Sequence, residues 1–389
     1  MKVSFRFRLH IVDQTLPKGS YAQTALVDLD NDGRLEYVVG QSHGDIFWYD
    51  YQDPDHWTRH LLGTDSPSDV GAVALDVDGD GWMDLVTGGA WYRNSRDPQV
   101  PFSRIVFDPA LSAVHDVTVA DIDGDGRPEV LTMSDKNDLR WYKIPDDPTL
   151  PWTSHYIGAP VHAGLSVGDL NGNGKLDVVR TDVWFENPAG RGTAWAEHPI
   201  GPNTPPPPDF QPHFAFNATY SVVCDVNGNG KQDIVFTDAE IPGGQIWWME
   251  NLDGQGLAWK RHDVYVWDPE QEPRRGAYHS LYVGDLDGDG DFDILSCEME
   301  AVGGECPPRW YVWENVDGRG GDWREHVILD ANLGGHAAVV GDVTGNGKLD
   351  VIAKPWRPVA YNALGGRMFI GFLESLNAGA DCEFEPKGE

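Results

Sequence analysis

Seven stretches of this 389-residue chain hold carboxylates at one fixed spacing. The string D-x-[DNT]-x-[DN]-G-x-x-[DE] begins at Asp28, Asp76, Asp121, Asp169, Asp225, Asp285 and Asp342. Acids at positions 1, 3 and 5 of a glycine-turned loop, with another at position 9, converge on one point and repel unless a cation lies between them. Oxygen-only ligands select Ca2+ over softer metals, and a last acid at position 9 rather than 12 separates these loops from an EF-hand. Four loops carry full acid sets: Asp28, Asp30, Asp32 and Glu36; Asp76, Asp78, Asp80 and Asp84; Asp121, Asp123, Asp125 and Glu129; Asp285, Asp287, Asp289 and Asp293. Three are weaker: Asp169, Asn171, Asn173 and Asp177; Asp225, Asn227, Asn229 and Asp233; Asp342, Thr344, Asn346 and Asp350. For these, loose binding and Asx-turn hydrogen bonding alone are both open. The expectation is structural Ca2+ in several loops, against solvated Asp-Gly turns without metal.

A second set lies just upstream of the loops. Six residues before the first Asp stand His115, His279 and His336; seven before stand Tyr21, Asp69, His162 and Tyr278. If the strand entering each loop lines a central funnel, four imidazoles meet at one level. Neutral imidazoles there would transfer protons or hold an additional divalent metal; the alternative is packed histidines at strand ends. Loops reaching the same face contain His43, Lys136, Asp238, Glu240, Glu298, Glu300, Lys354, Trp356, Arg357 and Tyr361, and two long loops bring Phe214 and the Arg274-Arg275 pair. In a chain of net charge −33, Arg274, Arg275, Lys354 and Arg357 would make a local positive patch for a carboxylate or electron-rich sugar group, unless they pair with the acidic surface. Trp356, Phe214 and Tyr361 could stack on a pyranose ring, with Tyr21 in the same funnel.

The elements that must position these residues repeat with the loops, which recur every 45 to 60 residues. An apolar run precedes each loop and a short β-branched run follows it. Next comes an aromatic strand ending near Glu-Asn, as in Trp247-Trp248-Met249-Glu250-Asn251, then W-x-x-H, as in Trp259 with His262. Four short strands per unit read as an antiparallel blade. The W-x-x-H histidines recur once per blade, so they read as packing. The seventh unit lacks its last strand, and Phe7-Arg8-Leu9-His10-Ile11-Val12 supplies it. The expected fold is all-β: one seven-bladed propeller over residues 1–376, closed by an N-terminal strand at 5–12, with an acidic tail at 377–389.

Composition fits. Twenty-two of 62 acidic residues sit at the loop positions, and the other 40 against 29 Lys+Arg leave only −11. The acidity argues against nucleic acid, whose phosphates need cationic partners. No run approaches the roughly 18 apolar residues of a membrane helix. No secretory signal is read in residues 1–13; export to a periplasmic or extracellular space would require that one had been removed. Four cysteines are too few for a disulfide scaffold, though Cys297 and Cys306 could pair in an exported protein.

The D-x-D-x-D-G-x-x-D loops after apolar strands resemble the FG-GAP/VCBS repeats of integrin-type propellers, over nearly the whole chain, although the Phe-Gly and Gly-Ala-Pro signatures are largely absent. The resemblance implies fold and calcium; it leaves function open, because such propellers host lectins, adhesion modules and enzymes. More distantly, Tyr278-His279-Ser280 with the loop from Asp285 to Gly290 resembles the propeller of aldos-2-ulose dehydratases, without their cupin domains, and propeller polysaccharide lyases use similar His, Tyr, Arg and Lys sets. The expectation is a C–O lyase on an acidic or keto sugar. His279 or His336 would be the base, His115 and His162 partners or metal ligands, Tyr278 the acid, and Arg274 and Lys354 the charge neutralisers. The alternatives are a calcium-stabilised lectin or adhesion propeller, and a glycoside hydrolase using a pair among Asp69, Asp238, Glu240 and Glu298. A lectin would repeat its binding residues in most blades, whereas these loops differ from blade to blade.

Overall fold

The structure is a computed structural model that describes residues 5–201, 219–300, 304–359 and 362–376. Phe214, Tyr361, Cys382 and the tail at 377–389 lie outside the described residues. The chain forms seven four-stranded antiparallel sheets, and no helix is long and apolar enough to cross a membrane among the described residues. The blades span 21–63, 72–106, 114–158, 165–199, 219–265, 282–329 and 336–375, numbered 1 to 7 below. The strand Phe7–Asp13 pairs antiparallel with Ile370–Ser375, Phe7 opposite Ser375 and Asp13 opposite Ile370, and so completes blade 7 from outside. Blade 7 also meets blade 1, where Thr24 Oγ1 donates to Ala337 O at 3.1 Å. The ring is closed as the terminal strands require.

Burial follows position within a blade. Second strands such as Glu36–Gln41 and Asp293–Cys297 have neighbours on every side and are almost wholly buried, which selects continuous β-branched and apolar runs. Outer strands such as Thr153–Gly158 keep one face in solvent. The core is a set of inter-blade layers filled by Trp91, Trp184, Trp248, Trp310 and Trp313.

Two staples join neighbouring blades. Third-strand tryptophans donate forward to the next blade: Trp141 Nε1 to Gly192 O at 2.9 Å, Trp184 to Gly256 at 2.8 Å, Trp248 to Gly320 at 3.1 Å. Asparagines donate backward: Asn187 Nδ2 to Ile122 O at 2.9 Å and Asn251 to Leu170 O at 2.8 Å. Gly256 and Gly320 have φ of 67° and 69°, and a Cβ on either would lie within 2.8 Å of the indole it receives, so only glycine allows this approach.

Candidate functional site

The residues starting the inner strands turn inward with help from the backbone. The pairing of 114–120 with its neighbour shifts register between Val114 and Asp116, leaving His115 as the extra residue of a bulge. A second irregularity follows His336, where Ala337 has φ of 51°. Bulges re-aim side chains in this way beside sites. As a result four imidazoles converge. Ring centres of His115 and His162 lie 4.2 Å apart, His115 and His279 5.7 Å, and His279 stacks on His336 at 3.8 Å. Tyr220 closes the set at 5.2 Å from His279. Each of the four histidines is at most 7% exposed. Beneath them an axial cavity of about 250 Å3 is lined from all seven blades, by residues including Thr24, Ala72, Leu165 and Ser280.

Glu240, on the turn after Asp233–Asp238, reaches into the cluster. Its Oε1 lies 3.1 Å from His279 Nε2 and 3.9 Å from His162 Nε2. Burial works to raise this carboxyl, but the His279 hydrogen bond and the charges of His279, His162 and His115 hold it below the ordinary range. Two further carboxylates fix the rings from behind. His115 Nδ1 lies 2.7 Å from Asp116 Oδ1, and His162 Nδ1 2.9 Å from Asp135 Oδ1. The other Asp116 oxygen accepts from Gly164 N and Leu165 N at 2.8 and 2.9 Å, so the orienting group is itself anchored to blade 4.

His336 has a different partner. The fully buried Lys354 Nζ lies 3.1 Å from His336 Nδ1 and donates to the carbonyls of His336 and Tyr21. Burial draws Lys354 down to about 7 while Glu300 pulls it up. His336 is held well below its usual value by burial, then by His279 and Lys354. A neutral amine is compatible with these contacts: two N–H groups donate to the carbonyls and the lone pair accepts a hydrogen bond from Nδ1–H, leaving the Nε2 lone pair of His336 open. Burial also pushes Glu300 up to about 7; its Oε1 accepts from Arg357 N at 2.8 Å and its buried Oε2 has no partner. Trp356, half-buried, stands 5.2 Å from His336.

Other expected site residues are elsewhere. Tyr278 follows strand alternation away from His279 into the core of blades 5 and 6, with Trp313 at 5.5 Å and Arg275 Nη1 3.4 Å from its hydroxyl. Burial pushes it well above its usual value, and its hydroxyl faces Arg275 in the core and not the histidines. Tyr21 likewise points into the core and donates to Pro17 O at 2.9 Å. Arg275 is not a rim cation: it pairs with Glu272 and Glu325 at 2.9 and 2.8 Å and lies over the Tyr265 and Tyr311 rings. Lys354 is behind His336, not at the rim. Arg274 is half-buried, its backbone N–H on Glu305, and Arg357 is exposed. Among the carboxylates considered for a hydrolase pair, Glu298 is buried on Gly276 N, Arg309 N and the Tyr311 hydroxyl, Asp69 accepts from Ser42, and Asp238 is buried on Gln245 N; only Glu240 faces the histidines. Cys297 and Cys306 are separate thiols.

The outer histidines pack. His60, His155, His198 and His262 stack on Trp48, Trp141, Trp184 and Trp248 at 4.1 to 4.5 Å. His198, His262 and His326 also pair with Glu186, Glu250 and Glu314.

At the opposite end, the acidic loops share one backbone clamp. In all seven the first Asp accepts from the glycine N–H at position 6, at 2.7 to 3.1 Å. The ninth acid accepts from the N–H at position 2, at 2.6 to 3.2 Å. The second oxygen of Asp84, Asp177, Asp233, Asp293 and Asp350 takes a further backbone N–H from the third strand. Position 9 is therefore first a fastener, which explains why it stays acidic in the Asn-containing loops.

The loops differ in how they meet their charge. In blade 1, Glu36 Oε1 and Asp28 Oδ1 are buried without partners, and Asp30, Glu36 and Asp50 bring oxygens within 4.8 Å of one another; these residues fit a hard cation. Burial, then the charges of Asp30, Asp28 and Asp32, push Glu36 up to about 8 against the bond from Leu29 N. In blade 6, burial, then Asp289 and Asp287, push Asp291 up to about 6, and no Lys or Arg pairs with this loop's acids among the described residues. In blade 3 the Lys143 ammonium sits 2.7, 2.6 and 2.8 Å from Asp123, Asp125 and Glu129, at the point where those acids converge, so a metal ion held by Asp121, Asp123 and Glu129 would have to displace it. In blade 2, Arg93 lies 2.6 Å from Asp78 and Arg96 pairs with Asp80.

This architecture defines the class as a seven-bladed β-propeller with an axial polar cluster. A family model described as FG-GAP-like repeat matches residues 28–87, 121–179 and 225–296, and these stretches are similar to that repeat. No curated protein sequence matches the chain. Among solved structures, the chain is similar to BBS1N from its complex with ARL6DN, at a TM-score of 0.57 and 10% identity over 98% of this chain and 99% of that one. Rhamnogalacturonan lyase YesW aligns at 0.48 and 12% identity over 94% and 75%, and the V. cholerae biofilm matrix protein Bap1 at 0.41 and 12% over 95% and 70%. At such identities these likenesses concern the fold alone.

Proposed function

We propose that the protein is a carbohydrate-active C–O lyase whose reaction takes place at the axial histidine cluster. The observation that carries this reading is the convergence of His115, His162, His279 and His336 with Glu240 at one buried place, reached from five different blades and not repeated elsewhere among the described residues. A single asymmetric centre suits an enzyme better than a lectin, which would repeat its contacts around the ring. The absence of a second carboxylate facing Glu240 among the described residues counts against a glycoside hydrolase.

Elimination beside a carbonyl or carboxylate requires a base, stabilisation of the enolate and a proton for the leaving oxygen. His336 Nε2 takes the α-proton as Nδ1–H passes its proton to neutral Lys354. Because Lys354 is drawn to about 7, the pair works as a base near neutral pH. His279, whose Nε2–H faces Glu240, provides the electrophilic side, with His115 and His162 beside it. Glu300, raised by burial to about 7 and so partly protonated near neutral pH, takes over the acid role expected of Tyr278. Trp356 offers a face for a sugar ring and Arg357 a charge for an acidic substituent. Calcium belongs to this proposal as a structural ion in the loops of blades 1 and 6, away from the chemistry.

The test uses His336→Ala and Lys354→Met against acidic glycans and ketosugars, following ultraviolet absorbance of an unsaturated uronate or enone. Product from the parent, lost in both variants at unchanged melting temperature, is the expected result. Absence of product on every such substrate, with glycan binding at several sites per chain, would overturn the proposal in favour of the lectin.

A further inference from the structure

We infer that His115, His279 and Glu240, with His162 beside them, form a site for a transition-metal dication of the zinc, manganese or cobalt type, distinct in chemistry from the oxygen-only loops. One ligand atom from each of His115, Glu240 and His279 falls within 4.8 Å of the others, inside the spread that a single ion can draw together. The histidine tautomers favour a metal. Asp116 accepts from the Nδ1–H of His115, so in the neutral ring the lone pair is on Nε2; this atom is buried, has no partner and belongs to a side chain only 2% exposed. Asp135 holds His162 the same way, its Nε2 3.9 Å from Glu240 Oε1. Two imidazoles backed by carboxylates and turned toward a third carboxylate are the arrangement in which outer groups orient metal-bound histidine and strengthen it as a ligand. Mixed imidazole and carboxylate donors favour transition metals over Ca2+ or Mg2+. His279 now uses Nε2 on Glu240; if that nitrogen binds the ion, its proton must leave.

The binding claim stands on geometry alone. Its role, polarising the substrate oxygen next to the carbon that His336 deprotonates, rests on the lyase reading. The experiment uses the full chain, stripped with chelator and resupplied with excess Ca2+ to fill the loops, then titrated with Co2+ alone. One equivalent should bind with ligand-field absorption of nitrogen and oxygen coordination and with proton release into weak buffer. His115→Ala should abolish that absorption. Asp116→Asn should weaken binding about 10- to 100-fold, as loss of an outer partner does. Glu240→Gln, on a partly exposed residue, gives the same reading should His115→Ala not fold. No Co2+ absorption in the folded parent, or an unchanged one in both His115→Ala and Glu240→Gln, would overturn the inference. Metal binding without lyase product would sink the lyase reading and keep the site; product without metal binding would do the reverse.

Discussion

Replacing Glu36 by Gln should stabilise the metal-free protein, although it removes a buried member of a repeated motif. The Glu36 carboxylate accepts from Leu29 N through one oxygen and leaves the other without a partner, in a group with Asp30 and Asp50. Its value is raised from 4.5 to about 8. A raised carboxyl contributes stability that is full below its unfolded value and is lost as pH rises through the folded one. At pH 7 the linkage amounts to about 3 kcal/mol, taking about 1.4 kcal/mol per unit. Gln keeps the bond from Leu29 and turns an N–H toward the neighbouring acids, so it escapes that loss. With about 2.1 cal/mol/K of unfolding entropy per residue over 389 residues, 3 kcal/mol corresponds to about 4 °C. The assay is thermal melting of parent and variant in chelator from pH 5 to 8, then with Ca2+. The parent should lose stability across this range more steeply than the variant, and Ca2+ should raise the parent more. A variant that melts below the parent at pH 7 in chelator, or equal gains from Ca2+ in both, would refute the reasoning.

Lys143→Ala should cost about 1–3 kcal/mol without metal, because it leaves the acids of blade 3 uncompensated. Titration calorimetry should then count one more bound Ca2+ than in the parent, and an unchanged count would contradict the reading of Lys143 as a built-in cation. Arg275→Met should destabilise by about 3 kcal/mol, since Glu272 and Glu325 lose their buried partner. Its kcat/KM on any substrate found should match the parent, which tests the assignment of Arg275 to the core and not to substrate.

The ring was legible because a tightly spaced motif marks the bottom of every inner strand, and because strand Phe7–Asp13 carries the repeat element missing after Ser375. The level of His115, His162, His279 and His336 was legible by counting back from that mark. What counting could not resolve was direction: strand alternation and bulges decide that His279 faces the axis while Tyr278 faces the core. Glu240 was visible only as one of several rim carboxylates, since its turn has no period to fix its aim. Asp116 and Asp135 went unnoticed as orienting groups. Lys143 and Arg93 did leave a signal: they occupy the third-strand place where other blades carry Glu186, Glu250 and Glu314, and the reversed charge there marks loops that supply their own cation.

The outer strand of blade 7 is made long before its partner. Arg8 meets Glu374 across 366 residues, which at about 5–20 residues per second separates their emergence from the ribosome by roughly 20–70 s. Through that interval the growing chain carries an unmated β-ribbon at its front and an open arc of blades behind it, both apt to pair with strangers. Sealing the circle is thus a step of high contact order, which slows folding relative to the pairing of strands within a blade.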